Sequence, residues 1–176
     1  MREKALFLDR DGVINVDHGY VYEIENFTFN EGIFELLYLF IEKNYKLFIV
    51  TNQSGIGRGY YTEEAFLALT DFMLREFEKR GIKIEEVAYC LHAPEDNCGC
   101  RKPATGMVDT ILSDYSIDLK KSWLIGDKQS DIDLANNALI GETIAIGKNI
   151  IIGSSLSFKT ILSCRRYLEE NQGKIA

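Results

Sequence analysis

Short apolar runs and helical stripes take turns along this chain. Residues 5–8 form a run fit for a buried strand and end at Asp9; residues 47–50 form a second and end at Thr51. Residues 87–91 and 122–125 repeat the pattern, the latter stopping at Gly126-Asp127, and residues 142–146 supply a fifth strand. Between these runs the apolar positions follow a helical period. Ile33, Phe34, Leu36, Leu37, Phe40 and Ile41 predict a helix over 32–43. Phe66, Leu69, Met73 and Phe77 predict another, with Thr62 as N-cap, Glu63 and Glu64 in the first turn, and Gly81 stopping it after Arg80. Met107, Val108, Ile111, Leu112 and Tyr115 mark a helix over 106–115. A short helix over 130–138 and a terminal one over 158–169 complete the pattern. Gly153-Ser154-Ser155 is the one linker-like spot, too short to separate domains.

Strands alternating with helices predict an α/β fold, a Rossmann-like, mostly parallel sheet with helices on both faces. At 176 residues the expectation is one domain spanning 1–176. Ligands of such sheets bind beyond the carboxyl ends of the strands. Asp9, Thr51 and Asp127, distant in sequence, are therefore expected to share one crevice.

Charge narrows the choice of partner. Twenty Lys and Arg stand against 27 Asp and Glu, a formal net of −7, which lacks the footprint of a nonspecific nucleic-acid or anionic-membrane binder. No run approaches the roughly 20 apolar residues of a membrane span. Only four apolar residues lie between Lys4 and Asp9, too few for a signal-peptide core, so the expected location is cytoplasmic. A monomer binding a small anionic ligand is expected, with positive charge supplied locally.

The strand ends carry the chemistry. In Asp9-Arg10-Asp11-Gly12-Val13 two carboxylates follow a buried strand, and Gly12 lets the backbone turn away. Thr51-Asn52-Gln53-Ser54-Gly55 offers donors suited to a phosphoryl group, although in isolation it reads equally as a polar turn. The glycines of Gly55-Ile56-Gly57-Arg58-Gly59 suggest a dinucleotide loop only superficially, because no helix is expected there. Gly126-Asp127-Lys128-Gln129-Ser130-Asp131 adds two acids, of which Asp131 also reads as a first-turn acid of a helix. Acids gathered at strand ends suit Mg²⁺. Lys102, before Pro103, would be the counter-charge for a phosphate. Together the parts predict phosphoryl transfer through an aspartate nucleophile, with a second aspartate as acid and base.

The cysteines add a second metal. Cys90, His92, Cys98 and Cys100 fall within eleven residues, while Cys164 sits alone. Three thiols and an imidazole suit a structural Zn²⁺ site, which would hold the loop carrying Arg101 and Lys102.

Asp9-x-Asp11-Gly12-Val13, Thr51, Lys102 and Gly126-Asp127-x-x-x-Asp131 resemble, in order, the four motifs of the haloacid-dehalogenase-like (HAD-like) phosphatases, over about residues 4–147. The resemblance implies Asp9 as nucleophile, Asp11 as general acid and base, and Thr51 and Lys102 as stabilisers of the phosphoryl group. It implies Mg²⁺ held by Asp9, the Asp11 main-chain carbonyl and Asp127, with Asp131 supporting them from behind. With the zinc cluster, DRDGVIN, TNQSG, CRKP and GDK look like the histidinol-phosphate and heptose-bisphosphate phosphatase branch, enzymes without a large cap domain. TNQSGIGRG and Asp17-His18-Gly19-Tyr20 lean to the heptose side, implying hydrolysis of the 7-phosphate of a heptose 1,7-bisphosphate. Only five residues separate His92 from Cys98, however, as in the histidinol type. Substrate contacts implied are Asp17, His18, Gly19, Tyr20, Asn52, Gln53, Ser54, Arg101 and Lys128. A doubly phosphorylated sugar would explain why Arg58, Arg101, Lys102 and Lys128 all fall on crevice loops, though singly each reads equally as a solvated charge. A phosphoaspartate signalling receiver would also cluster acids, Thr and Lys at strand ends. It needs neither the second aspartate nor a zinc loop.

Overall fold

The computed structural model describes residues 2–175. Its centre is a six-stranded, wholly parallel sheet. The strands are β1 (Lys4–Leu8), β2 (Tyr45–Asn52), β3 (Ile84–Cys90), β4 (Trp123–Gly126), β5 (Glu142–Ile146) and β6 (Leu156–Phe158), in the order β3-β2-β1-β4-β5-β6.

Strand alternation decides which helix goes where. Leu6, Leu8, Leu47, Ile49 and Ile125 face one side and pack with α1 (Ile33–Glu42), α3 (Glu63–Glu78) and α6 (Ile161–Glu170). Ala5, Phe7, Phe48, Val50 and Leu124 face the other and pack with α4 (Gly106–Asp114) and α5 (Gln129–Asn137). Both faces are thus covered, which is why the central strands read as continuous apolar runs. No cap-sized insertion interrupts the sheet: between β1 and α1 there is only a 3₁₀ turn at Ile24–Asn26.

Two expectations are corrected here. The terminal helix does not begin at residue 158. Leu156–Phe158 pairs with Ile144–Ile146 as the sixth strand, and α6 starts after Thr160, whose hydroxyl accepts from the Ser163 amide. Second, a helix does follow the TNQ segment: Ser54–Gly57 forms the single turn α2. It leads into Arg58, not into a phosphate-cradling dinucleotide loop.

The Gly153-Ser154-Ser155 stretch is no free linker. The Ser155 hydroxyl accepts from the Thr143 amide at 3.1 Å, and the Ser155 amide donates to the Thr143 hydroxyl at 3.0 Å. Cys164, the bystander cysteine, is fully buried in the α6 core, where burial pushes its thiol up to about 12.

The strand order runs outward from β1 and β4 in opposite directions. The crevice beyond their carboxyl ends is therefore the sheet's switch point, the place where open α/β sheets bind ligands. Asp9 follows β1 and Asp127 follows β4.

Candidate active site

Lys102 is the hub of the crevice. It is 4 % exposed, and its ammonium lies 2.8 Å from Asp9 Oδ1 and 2.7 Å from Asp131 Oδ1, and donates to the Val50 carbonyl at 2.8 Å. Burial works against its charge, but Asp131 and Asp9 outweigh burial and raise its pKa. Its loop is anchored by Asn52, whose Oδ1 accepts from the Lys102 amide at 3.0 Å.

Asp9 Oδ1 also accepts from the Arg10 amide at 2.9 Å. Burial holds the Asp9 carboxyl well above the usual range; the Asp131 charge adds to this and Lys102 partly offsets it. Burial likewise raises Asp127, with Lys128 acting against it. Asp131 acts from within α5. Its Oδ2 accepts from the Asp127 and Lys128 amides at 3.1 and 3.0 Å, so it shapes the turn and meets Lys102 with its other oxygen. Carboxylate oxygens of Asp9, Asp127 and Asp131 all lie within 4.8 Å of one another.

Two glycines make this crowding possible. A Cβ on Gly12, which has φ +88°, would collide with the Asp127 carboxylate, and one on Gly126 would collide with Asp131.

The trio fits a hard divalent cation. Three carboxylates crowd together, burial disfavours the charge of Asp9 and Asp127, and Asp127 Oδ1 is buried without a hydrogen-bond partner among the described residues. A cavity of about 30 Å³, lined by Asp9, Asp11, Lys102 and Asp131, adjoins them.

Asp11 stands outside that trio, its carboxylate turned the other way. Oδ1 accepts from Arg10 Nη2 at 2.8 Å and Asn15 Nδ2 at 3.0 Å, and Oδ2 accepts from Gln53 Nε2 at 3.1 Å. Gln53 Nε2 also donates to the hydroxyl of Thr51, a fully buried residue, at 2.8 Å, while Tyr61 donates to Gln53 Oε1 at 2.6 Å. Sequence reasoning missed three members of this network. Arg10 is 1 % exposed and spans Asp11 and the Val21 carbonyl, with Phe66 beneath its guanidinium. An arginine between two acids was a visible signal. Asn15, which ends the DRDGVIN motif, was another, whereas Tyr61 left none, since its role depends on tertiary contacts.

A larger cleft of about 260 Å³ opens outward from this network. Asp11, Asp17, Gly19, Tyr20, Asn52, Gln53, Ser54, Arg101 and Lys128 all line it, joined by Tyr61 and Ser130, which the motifs had not indicated. Arg101 Nη1 is buried with no partner among the described residues. Lys128 reaches Asp17 at 3.7 Å and ties the 17–20 loop to the end of β4. His18 is exposed and does not line the cleft. Arg58 also lies outside it, bonded to the exposed Tyr60, which stacks edge-on against Tyr20 at the rim.

Cys90, His92, Cys98 and Cys100 do come together. Sulfur–sulfur distances are 2.9–3.5 Å, and His92 Nδ1 lies 3.2 Å from Cys100 Sγ and 3.5 Å from Cys90 Sγ. Tetrahedral thiolate ligands about 2.3 Å from one ion would stand roughly 3.7 Å apart, so the four-atom set fits such an ion with slight expansion. Burial opposes ionisation of Cys98, yet the Arg101 amide and the neighbouring thiols bring it down to about 6. The amide of Arg101 thereby links the cluster to the Arg101–Lys102 loop.

Residues 99–141 match the HAD-hydrolase-like family model. The chain is 51% identical over 148 residues to the D-glycero-alpha-D-manno-heptose-1,7-bisphosphate 7-phosphatase of Campylobacter jejuni, covering 84% of this chain and 85% of that protein. It is 45% identical to the D-glycero-beta-D-manno-heptose-1,7-bisphosphate 7-phosphatase of Helicobacter pylori J99, covering 83% and 84%. Its fold is that of the crystal structure of D,D-heptose 1,7-bisphosphate phosphatase from B. bronchiseptica complexed with magnesium and phosphate, with a TM-score of 0.81, 24% identity and coverage of 96% and 99%. With half its aligned residues shared along most of both sequences, the chain belongs to the heptose-1,7-bisphosphate 7-phosphatase family of HAD-like hydrolases.

Proposed function

We propose that this protein removes the 7-phosphate of D-glycero-D-manno-heptose 1,7-bisphosphate through an aspartyl-phosphate on Asp9, on the route to nucleotide-activated heptose for surface polysaccharide. The observation that carries the reading is the meeting of Asp9, Asp127, Asp131 and Lys102 at the sheet's switch point, in a chain whose relatives share that substrate.

Asp9 Oδ1 is occupied by Lys102 and the Arg10 amide, which leaves Oδ2 to attack phosphorus. As the Asp9–phosphorus bond forms, the bond from phosphorus to the sugar oxygen breaks, and protonated Asp11 delivers its proton to that oxygen. Water then attacks the phosphorus of the aspartyl-phosphate; Asp11 takes the water's proton, phosphate departs and the Asp9 carboxylate is restored. Thr51 and Lys102 donate to the phosphoryl oxygens throughout. Mg²⁺, held by Asp9, the Asp11 main-chain carbonyl and Asp127 and supported by Asp131, would neutralise charge on the phosphoryl group. Zn²⁺ on Cys90, His92, Cys98 and Cys100 would serve structure only. Arg101, with its unpartnered buried nitrogen, is the cleft's best-placed cation for the second phosphate, with Lys128 beside it and Arg58 and His18 as outer contacts. Asp17, Gly19, Tyr20, Asn52, Gln53 and Ser54 frame the sugar.

The test compares phosphate release from the heptose bisphosphate and from histidinol phosphate. Fast release from the first, with product retaining its 1-phosphate, is expected; faster release from histidinol phosphate overturns the substrate assignment.

A further inference from the structure

The amino ends of the strands, opposite the active site, hold a cleft of about 580 Å³. Lys4 opens β1, Tyr45 opens β2, Trp123 opens β4 and Glu142 opens β5, and all four line it. Arg2, Lys120, Lys121 and Lys174 complete the wall. Among the described residues, the only carboxylate in this lining is that of Glu142.

Such a gathering is unexpected in a chain of net charge −7. The cations come from separate stretches: the amino terminus, the 3₁₀ turn Leu119–Lys121 and the carboxyl-terminal turn Gln172–Lys174. Arg2, Lys120 and Lys174 make no ion pair among the described residues, and Lys121 has only Asp118 at 3.9 Å. Burial lowers the pKa of Lys4, and the neighbouring charges of Lys121 and Lys43 add to the effect. Tyr45 and Trp123, nearly buried, form an aromatic floor, with the Lys4 ammonium 4.5 Å above the Tyr45 ring.

We propose that this cleft is a second anion site, taking a small molecule that carries two or more phosphate groups. Several exposed cations around one concave space match a compact, multiply charged ligand. A long polyanion is disfavoured because the rest of the surface carries the negative surplus. The inference does not depend on the identity of the sugar substrate.

Trp123 makes the test direct, because it is the only tryptophan and lines this cleft. Inorganic tripolyphosphate is titrated into the full chain at constant ionic strength while tryptophan fluorescence is followed. A saturable change is expected, kept in Asp9→Asn and weakened about tenfold or more in Lys120→Glu/Lys121→Glu. Lys174→Glu, from another part of the wall, is expected to weaken it as well, and gives a second readout should the double variant fold poorly. A response no greater than that of matched potassium chloride, or an affinity unchanged in folded charge-reversed protein, overturns the proposal.

Discussion

Asp9 and Asp11 are separated by one residue, yet their surroundings differ. Asp9 is buried against Lys102 and two other acids, whereas Asp11 is held by Arg10, Asn15 and Gln53. Asp9→Asn should abolish turnover with the melting temperature kept or raised, since one of three crowded carboxylates is neutralised. Asp11→Asn should cost about 10²–10⁴ in kcat, the usual range for a lost general acid; steady-state kinetics alongside thermal melts checks both. Tyr61 adds a pH dependence. Burial lifts its hydroxyl from 10.0 to about 12. Between those values the folded chain keeps a proton that the unfolded chain has lost, so stability falls as pH rises from 10 towards 12. Tyr61→Phe should therefore lose about 1 kcal/mol less than the parent between pH 9 and 11 in urea unfolding. Asp9 and Asp11 stood out in the sequence because they follow a strand end, and Lys102 because it precedes a proline. Tyr61 was not legible there, because its bond to Gln53 exists only once the 53–61 segment folds back on itself.

At the scale of elements, short apolar runs leading into acids announced β1 and β4, since strands buried on both faces need no alternation. The three-residue β6 was hidden: Leu156-Ser157-Phe158 offers a single alternation, too little to outweigh the adjoining helical stripe. The single turn α2 was hidden by its glycines. The 91–105 connection carries the cysteine–histidine cluster and has only one short 3₁₀ turn of its own. Cys98→Ser/Cys100→Ser should lose bound zinc, measured by elemental analysis, and lower the melting temperature by several degrees. Its activity should fall too, because the Arg101 amide that meets Cys98 precedes the lysine touching Asp9.

Over the whole molecule, the parallel sheet sorts charge by its two ends. The carboxyl ends gather acids around Lys102, and the amino ends gather cations around Tyr45 and Trp123. Among the described residues no helix is long and apolar enough to cross a membrane. The two clusters of potential metal ligands also differ in how much of the chain must be in place to build them. The thiol–imidazole set comes from eleven consecutive positions, Cys90 to Cys100, whereas the carboxylate set spans Asp9 to Asp131. Closing the first loop costs little conformational entropy; assembling the second requires β1 and β4 in register and α5 in place. In a urea titration, loss of divalent-ion binding at the carboxylates should coincide with global unfolding, while zinc release should lag behind. During synthesis the thiol–imidazole cluster can close once residue 100 has emerged, but the acidic trio must wait for the helix that carries Asp131, so its affinity for a divalent ion reports completion of the fold.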